Sequence, residues 1–237
     1  MTEPRHHLTD ELLLGYAAGA LDEALSLFVA THLTLCARCR AQAAWLEAVG
    51  GSMLEDVNLD GRDEASANVT ETARGLDEAL ARLDREAPPS SVVPALPPRA
   101  LGPRDDPMLA QIPEPLRRYV PLDDNNKIVW STRLPGVGQV TLPLEHRGYR
   151  VAINYLRGGL QVPRHTHDGM EYNLVLTGGF SDRGLNFERG DAAIAGAELT
   201  HALDIHPGAP CMLLSVMEHP LVPASPLAKL LSRILPI

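Results

Sequence analysis

The chain has 237 residues, of which 45% are hydrophobic and 22% are charged, and it carries a formal net charge of −9. It lacks the run of about 18 uninterrupted apolar residues that a membrane-spanning helix needs. No apolar segment follows the charged N-terminus, as a secretory signal would require. We therefore expect a soluble cytoplasmic protein with no membrane partner.

The net negative charge is confined to the N-terminal third of the chain. Residues 1–86 contain 16 acidic residues against seven arginines, whereas the remainder has 14 of each sign. An acidic module repels DNA phosphate and attracts basic proteins. Direct nucleic-acid binding is thus not expected. The charge alone leaves open whether this part meets a basic protein partner or is simply solvated.

The first 86 residues have the composition of helices, with no proline after position 4. The predicted helices span 10–19, 22–33, 37–49 and 69–86. The first begins after Thr9, a suitable N-cap, and the third is expected to end at Gly50 and Gly51. The apolar stripe of the fourth helix indicates either packing onto the first three or docking to a partner.

A possible metal motif, His32-x3-Cys36-x2-Cys39, lies where the second helix ends and the third begins. Two cysteines three residues apart at a helix start can chelate one zinc ion, and a helix N-terminus favours the thiolate. A thioredoxin-like redox pair would need a βαβ context, which is absent. Buried cysteines without metal are a third, weaker interpretation. A fourth ligand could come from His6 or His7.

This part of the chain resembles the zinc-binding anti-sigma domain, a small helical bundle that binds an extracytoplasmic-function sigma factor. The resemblance rests on the segments RHHLTDELLLGYAAGAL (5–21) and ATHLTLCARCRA (30–41). It implies that the N-terminal histidine ligand is the second of the pair, His7. The implied zinc ligands are then His7, His32, Cys36 and Cys39.

A segment with nine prolines, 87–115, follows the helices. Proline removes backbone donors and disfavours helix in the preceding residue, so this segment is predicted to be an extended linker. Residues 116–237 then alternate short β-branched runs with glycine and proline, which is typical of an all-β unit. The predicted organisation is a helical domain, a linker and a β domain.

The β domain contains the pattern Gly159-x5-His165-x-His167-x3-Glu171-x6-Gly178, which resembles the first motif of the cupin family. Residues two apart on a strand face the same way, so His165 and His167 both point into the barrel. Glu171, at the start of the next strand, reaches the same ion. The expected fold is a cupin barrel, or double-stranded β-helix, and the donor set suits zinc, iron, manganese or nickel.

The second cupin motif is only partly present. Its turn is marked by Gly190-Asp191, and His201 falls where the last metal ligand is expected. The customary proline and glycine are replaced by Gly196 and Glu198. His206 and His219 are nearby alternatives as ligands, although loop or surface roles are commoner for such residues. The remaining cysteine, Cys211, lies on a strand-like run and is expected to be a buried, inert thiol.

Both motifs, their order and the proline-rich segment resemble the ChrR family of zinc-binding anti-sigma factors along essentially the whole chain. That resemblance implies a regulator rather than an enzyme. It would sequester an extracytoplasmic-function sigma factor and release it on an oxidative signal, such as singlet oxygen or an organic hydroperoxide, sensed by the cupin domain. The alternative is a metal-dependent cupin dioxygenase or isomerase with a helical oligomerisation module.

Overall fold

The computed structural model describes residues 3–55, 75, 77–78, 80–82, 106–144, 148–219 and 222–223. The N-terminal part consists of α1 (Asp10–Ala17), α2 (Glu23–Leu35) and α3 (Ala37–Glu55). The Thr9 hydroxyl accepts a hydrogen bond from the Leu12 N–H, and the Asp22 carboxylate accepts one from the Leu25 N–H. Both contacts satisfy donors that a helix start leaves unpaired, which is why the helices begin where they do.

Helix α3 is longer than the sequence predicts. It continues through Gly50 and Gly51 to Glu55. Glycine ends a helix when it adopts a left-handed conformation, and neither of these glycines has a positive φ. In a right-handed helix each costs only about 1 kcal/mol relative to alanine. The prediction that the helix ends at Gly50 was therefore wrong. Most of the predicted helix 69–86 lies outside the described residues.

The last ten residues of the predicted linker are folded onto the barrel. They form a 3-10 helix (Pro107–Gln111) and the first half of the short helix α4 (Glu114–Arg117). Leu109, Ile112 and Leu116 are completely buried. The prolines at the start of these turns sit where a missing N–H costs nothing, so they initiate the turns rather than prevent them.

Two sheets form the β domain. Their strands are β1 (Ser131–Leu134), β2 (Val137–Thr141), β3 (Arg150–Leu156), β4 (Gln161–Thr166), β5 (Glu171–Thr177), β6 (Gly179–Asp182), β7 (Leu185–Glu188), β8 (Ala192–Ala195), β9 (His201–Ile205), β10 (Cys211–Met217) and β11 (Val222–Pro223). The six-stranded sheet has the order β1-β2-β3-β10-β5-β8, and the five-stranded sheet has the order β11-β4-β9-β6-β7. All pairings between these strands are antiparallel. This architecture confirms the predicted helical domain followed by a cupin-like barrel.

The helices pack against the barrel rather than standing apart from it. The Phe28 ring of α2 is completely buried and meets the Tyr172 ring of β5 edge to face, with ring centroids 5.8 Å apart. Leu109 and Leu116 belong to the same apolar cluster as Phe28 and the apolar side chains on the outer face of the six-stranded sheet, the face turned away from the barrel interior. One continuous core therefore joins the two parts of the chain. Among the described residues, no helix is long and apolar enough to cross a membrane.

Candidate metal centres

The first candidate site gathers four side chains from the N-terminal segment and the junction of α2 with α3. The potential ligand atoms of His7, His32, Cys36 and Cys39 all lie within 4.8 Å of one another. His32 is in the last turn of α2, Cys36 caps that helix, and Cys39 is in the first turn of α3. The Nδ1 of His7 lies 3.3 Å from the Cys36 sulfur and 3.6 Å from the Cys39 sulfur. The motif and the distant N-terminal histidine thus converge on one point.

The burial and the hydrogen bonding of His32 fit a side chain that binds a cation. The residue is completely buried, and neither of its ring nitrogens has a hydrogen-bond partner among the described residues. Burying an imidazole without a partner is costly, and coordination of a metal ion by one nitrogen would relieve part of that cost. Burial, with nearby His7 as a second cause, lowers the pKa of His32 to about 4. The ring is therefore neutral at pH 7, which is the form that binds metal.

The Cys39 thiol does not become reactive through its position at a helix start. We expected the helix N-terminus to lower the thiol pKa, but burial raises the pKa of Cys39 to about 11, and the adjacent Cys36 adds to that effect. Desolvation of a thiolate outweighs the dipole of the helix end here. A cation among these sulfurs would supply the positive charge that a thiolate needs at this depth.

The structure separates the two histidines that the sequence left as alternatives. The His6 ring turns away from the cysteines and lies against Phe187 of β7, with ring centroids 4.3 Å apart. Its Nε2 is 3.1 Å from the backbone oxygen of Asn186. His7 is the one that joins the cluster.

The segment that carries His7 is hydrogen-bonded to the turn between β7 and β8. The carboxylate of Asp191 accepts hydrogen bonds from the backbone N–H groups of Arg5 (2.6 Å) and His6 (2.9 Å). The Ala192 N–H in turn donates to the His6 carbonyl oxygen over 3.0 Å. Asp191 is almost completely buried, so these bonds are shielded from water. The sequence marked Asp191 only as part of a cupin turn and gave no sign of this contact.

The second candidate site lies inside the barrel. The potential ligand atoms of His165, His167, Glu171 and His201 are within 4.8 Å of one another, and all four residues are buried. His165 on β4 pairs directly with His201 on β9. Glu171 is the first residue of β5, on the opposite sheet. Despite the incomplete second cupin motif, His201 joins the other three.

The potential ligand atoms of this second cluster lie close together and face one another, an arrangement that suits the binding of a cation. The Nε2 atoms of His167 and His201 are only 2.8 Å apart, and the Glu171 Oε2 lies 3.2 Å and 3.7 Å from them. That oxygen is buried without a hydrogen-bond partner in the described part of the chain. Burial raises the pKa of Glu171 and, assisted by His165 and His201, lowers the pKa of His167 to about 4. A divalent ion would offset the cost of keeping this carboxylate ionised.

Two of the histidines are held so that Nε2 faces the centre of the cluster. The Nδ1 of His165 is 2.8 Å from the carbonyl oxygen of Pro163. The Nδ1 of His201 is 2.9 Å from the Oδ2 of Asp182, on β6. Both acceptors require Nδ1 to carry the proton, which leaves Nε2 free to bind metal. The sequence contained no spacing signal for Asp182, since it lies 19 residues before His201 on a different strand.

We expect Asp182→Ala to weaken metal binding at this site by roughly 10- to 100-fold, because His201 loses the acceptor that orients its ring. Competition with a chelator of known affinity measures the change. Asp204→Ala is the matched control, because Asp204 is an exposed carboxylate on the same strand as His201. Equal affinities of the two variants would contradict an orienting role for Asp182.

The other residues noted in the sequence lie outside both clusters. Cys211 is completely buried, and burial raises its pKa to about 12, as expected for an inert thiol. His219 is exposed, and the Nε2 of His206 lies 3.0 Å from the Ser181 hydroxyl oxygen.

Comparison with known proteins places this geometry in context. No family model matches the chain. The chain is 40% identical over 220 residues to the anti-sigma-E factor ChrR of Cereibacter sphaeroides, and the match covers 92% of this chain and 91% of the relative. It resembles a chain in the crystal structure of Rhodobacter sphaeroides SigE in complex with the anti-sigma ChrR. That match has a TM-score of 0.66 and 37% identity, over 90% of this chain and 98% of that one. An RmlC-like cupin protein of Ralstonia eutropha is 16% identical, over 49% of this chain and 84% of that one, with a TM-score of 0.39.

Proposed function

This chain belongs to the ChrR family of anti-sigma factors, and we propose that it sequesters an extracytoplasmic-function sigma factor and releases it on an oxidative signal. The observation that carries the proposal is the 40% identity over 92% of the chain, and the two clusters of potential metal ligands agree with it. The predicted family is thereby confirmed. The function is regulatory rather than enzymatic, since the relative that covers nearly the whole chain is an anti-sigma factor. A sigma factor acts on RNA polymerase, which supports a cytoplasmic location.

An exposed apolar face on α3 supports binding of a protein partner there. Trp45, Val49 and Met53 recur every four residues, which aligns them along one side of the helix. Their exposed fractions are 63%, 39% and 68%. Leu14 of the neighbouring α1 is also exposed. A large apolar side chain in water is individually ordinary, but a contiguous row of them is typical of an interaction surface.

We expect Trp45→Glu combined with Met53→Glu, in the full chain, to weaken sigma binding at least about 30-fold. Losing a buried tryptophan from an interface typically costs 2 kcal/mol or more, and each 1.4 kcal/mol is a factor of ten. The measurement is the Kd for the extracytoplasmic-function sigma factor that this chain is proposed to bind. Ala44→Glu is the control, because Ala44 is an exposed alanine on another side of α3. Unchanged sigma binding by the folded double variant would remove this face from the proposal.

The donor sets indicate which metals the two sites would hold. We propose zinc on His7, His32, Cys36 and Cys39, since two thiolates and two imidazoles are a typical structural zinc set. At His165, His167, Glu171 and His201 we propose zinc or another divalent metal such as iron, manganese or nickel. The first ion would stabilise the fold of the helices. The second would supply a Lewis-acid or redox centre at which an oxidant can act.

The N-terminal segment that carries His7 is hydrogen-bonded to the barrel. This contact supports a route by which a signal at the barrel site reaches the helices that bind the partner. A cavity of about 400 Å³ is lined by His7 from the first cluster and by Glu171 and His201 from the second. Asp191 ties the backbone beside His7 to the barrel. We propose that a change at the barrel site moves this segment and thereby alters the helical domain. The signal acts only if it stabilises the free and the bound forms differently.

A further inference from the structure

A second cavity, of about 210 Å³, lies inside the barrel between the two sheets. The metal-site residues His165 and Glu171 form part of its wall. The remaining lining residues divide into a polar group and an apolar group. The interior of a small barrel is normally filled by side chains, so a cavity beside a metal site indicates room for a ligand.

The polar group is one continuous hydrogen-bonded row on the six-stranded sheet. Arg150 donates to the side-chain oxygen of Gln139 over 2.5 Å, and Gln139 donates to Asn154 over 2.8 Å. Asn154 donates to the Ser215 hydroxyl over 2.9 Å, and that hydroxyl donates to Asn173. The row crosses four adjacent strands. Each member holds the next in place, so the groups facing the cavity are pre-positioned.

Arg150 introduces a positive charge into this partly buried wall. Its contact with Gln139 engages one nitrogen of the guanidinium. Among the described residues, no carboxylate lies within 4 Å of the Arg150 guanidinium. A guanidinium offers a planar fork of donors that matches a carboxylate, and it is rarely left without a counter-charge when removed from water. This position therefore selects an anionic group.

The apolar group rules out a small inorganic anion as the sole occupant. Leu160, Val162 and Leu203 line the cavity from the side of the five-stranded sheet, and Leu156 and Leu213 complete its far end. Contact with these side chains buries the surface of an apolar group and so lowers its free energy. Phosphate and sulfate have no apolar surface to bury there. The lining thus matches a molecule with an anionic head and an apolar body.

The strand register brings the charged residue to the level of the metal site. Arg150 pairs with Met217 on β10, and Met217 pairs with Glu171 on β5. Two strand spacings separate Arg150 from Glu171, a backbone distance of about 10 Å. We propose that the barrel cavity binds a small monocarboxylic acid, with its carboxylate on Arg150 beside the metal site and its apolar body against Leu160 and Leu203. This proposal does not depend on the sigma partner.

Octanoate is a suitable probe, with acetate and 1-octanol as matched comparisons. The full-length, metal-loaded chain is titrated with each by calorimetry, without any sigma factor. We expect octanoate to bind, and acetate and 1-octanol to bind at least tenfold more weakly, because one lacks the apolar body and the other the charge. In Arg150→Gln, octanoate affinity should fall by roughly tenfold or more. Arg157→Gln removes an exposed arginine outside the cavity and should leave it unchanged.

A second variant tests the apolar end. Leu160→Trp fills the cavity from a half-buried position and should abolish octanoate binding while metal content stays the same. Circular dichroism and metal analysis establish that each variant is folded and loaded. The proposal is overturned if octanoate does not bind the wild-type chain, if 1-octanol binds equally well, or if the folded Arg150→Gln or Leu160→Trp variant keeps full affinity. Since no sigma factor is present, failure here leaves the anti-sigma function intact.

Discussion

A Cys36→Ser/Cys39→Ser chain is expected to lose the N-terminal metal ion and, with it, both the folded helical domain and sigma inhibition. The cluster is buried, and His32 has no hydrogen-bond partner that could replace the ion in the described part of the chain. A structural zinc ion contributes about 10–16 kcal/mol of apparent binding free energy. That is as large as the whole stability of a typical domain, about 5–15 kcal/mol. The helices therefore should not remain ordered without it.

Three measurements check this result. Metal analysis should fall by one equivalent per chain, far-UV circular dichroism should lose helical signal, and a sigma-dependent reporter should become constitutively active. Cys211→Ala is the matched control, since Cys211 is a buried thiol outside the cluster. A metal-free double variant with full helical content and normal inhibition would show that this site is not structural.

A His165→Ala chain is expected to lose the barrel metal, to keep inhibiting the sigma factor, and to fail to release it under singlet oxygen or an organic hydroperoxide. The barrel cluster shares no residue with the N-terminal cluster, so the N-terminal metal site should stay intact in this variant. The variant should lack the centre at which, in our proposal, the oxidant acts. Reporter induction should drop from the wild-type response to the uninduced level.

His219→Ala provides the control, because His219 is an exposed histidine outside the cluster. It should respond to the oxidant as the wild-type chain does. Normal induction in a His165→Ala chain shown to lack the barrel metal would contradict a sensory role. The search for the sensor would then return to Cys36 and Cys39.

The sequence by itself determined the parts of both sites that depend on local periodicity. Residues two apart on a strand share a face, which aligned His165 with His167. Residues at the end of one helix and the start of the next are close in any fold, which grouped His32, Cys36 and Cys39. The resemblance to a known family then selected His7, and the structure places it in the cluster. The helix starts at Thr9 and Asp22 are also local, because a cap needs only a neighbouring N–H.

Only the tertiary structure decided the contacts between distant segments. Asp191 meets Arg5 and His6 across more than 180 residues of chain, and Asp182 reaches His201 from another strand. The turns around Pro107 and Pro113 were predicted to be part of an extended linker, because proline disfavours helix. In the structure, the burial of Leu109 and Ile112 outweighs that preference. Such contacts follow from how the sheets and helices pack, and a side chain's sequence neighbours carry no information about them. The spacing of residues thus indicated most of the candidate metal ligands, while packing specified what orients their side chains and what connects the two clusters.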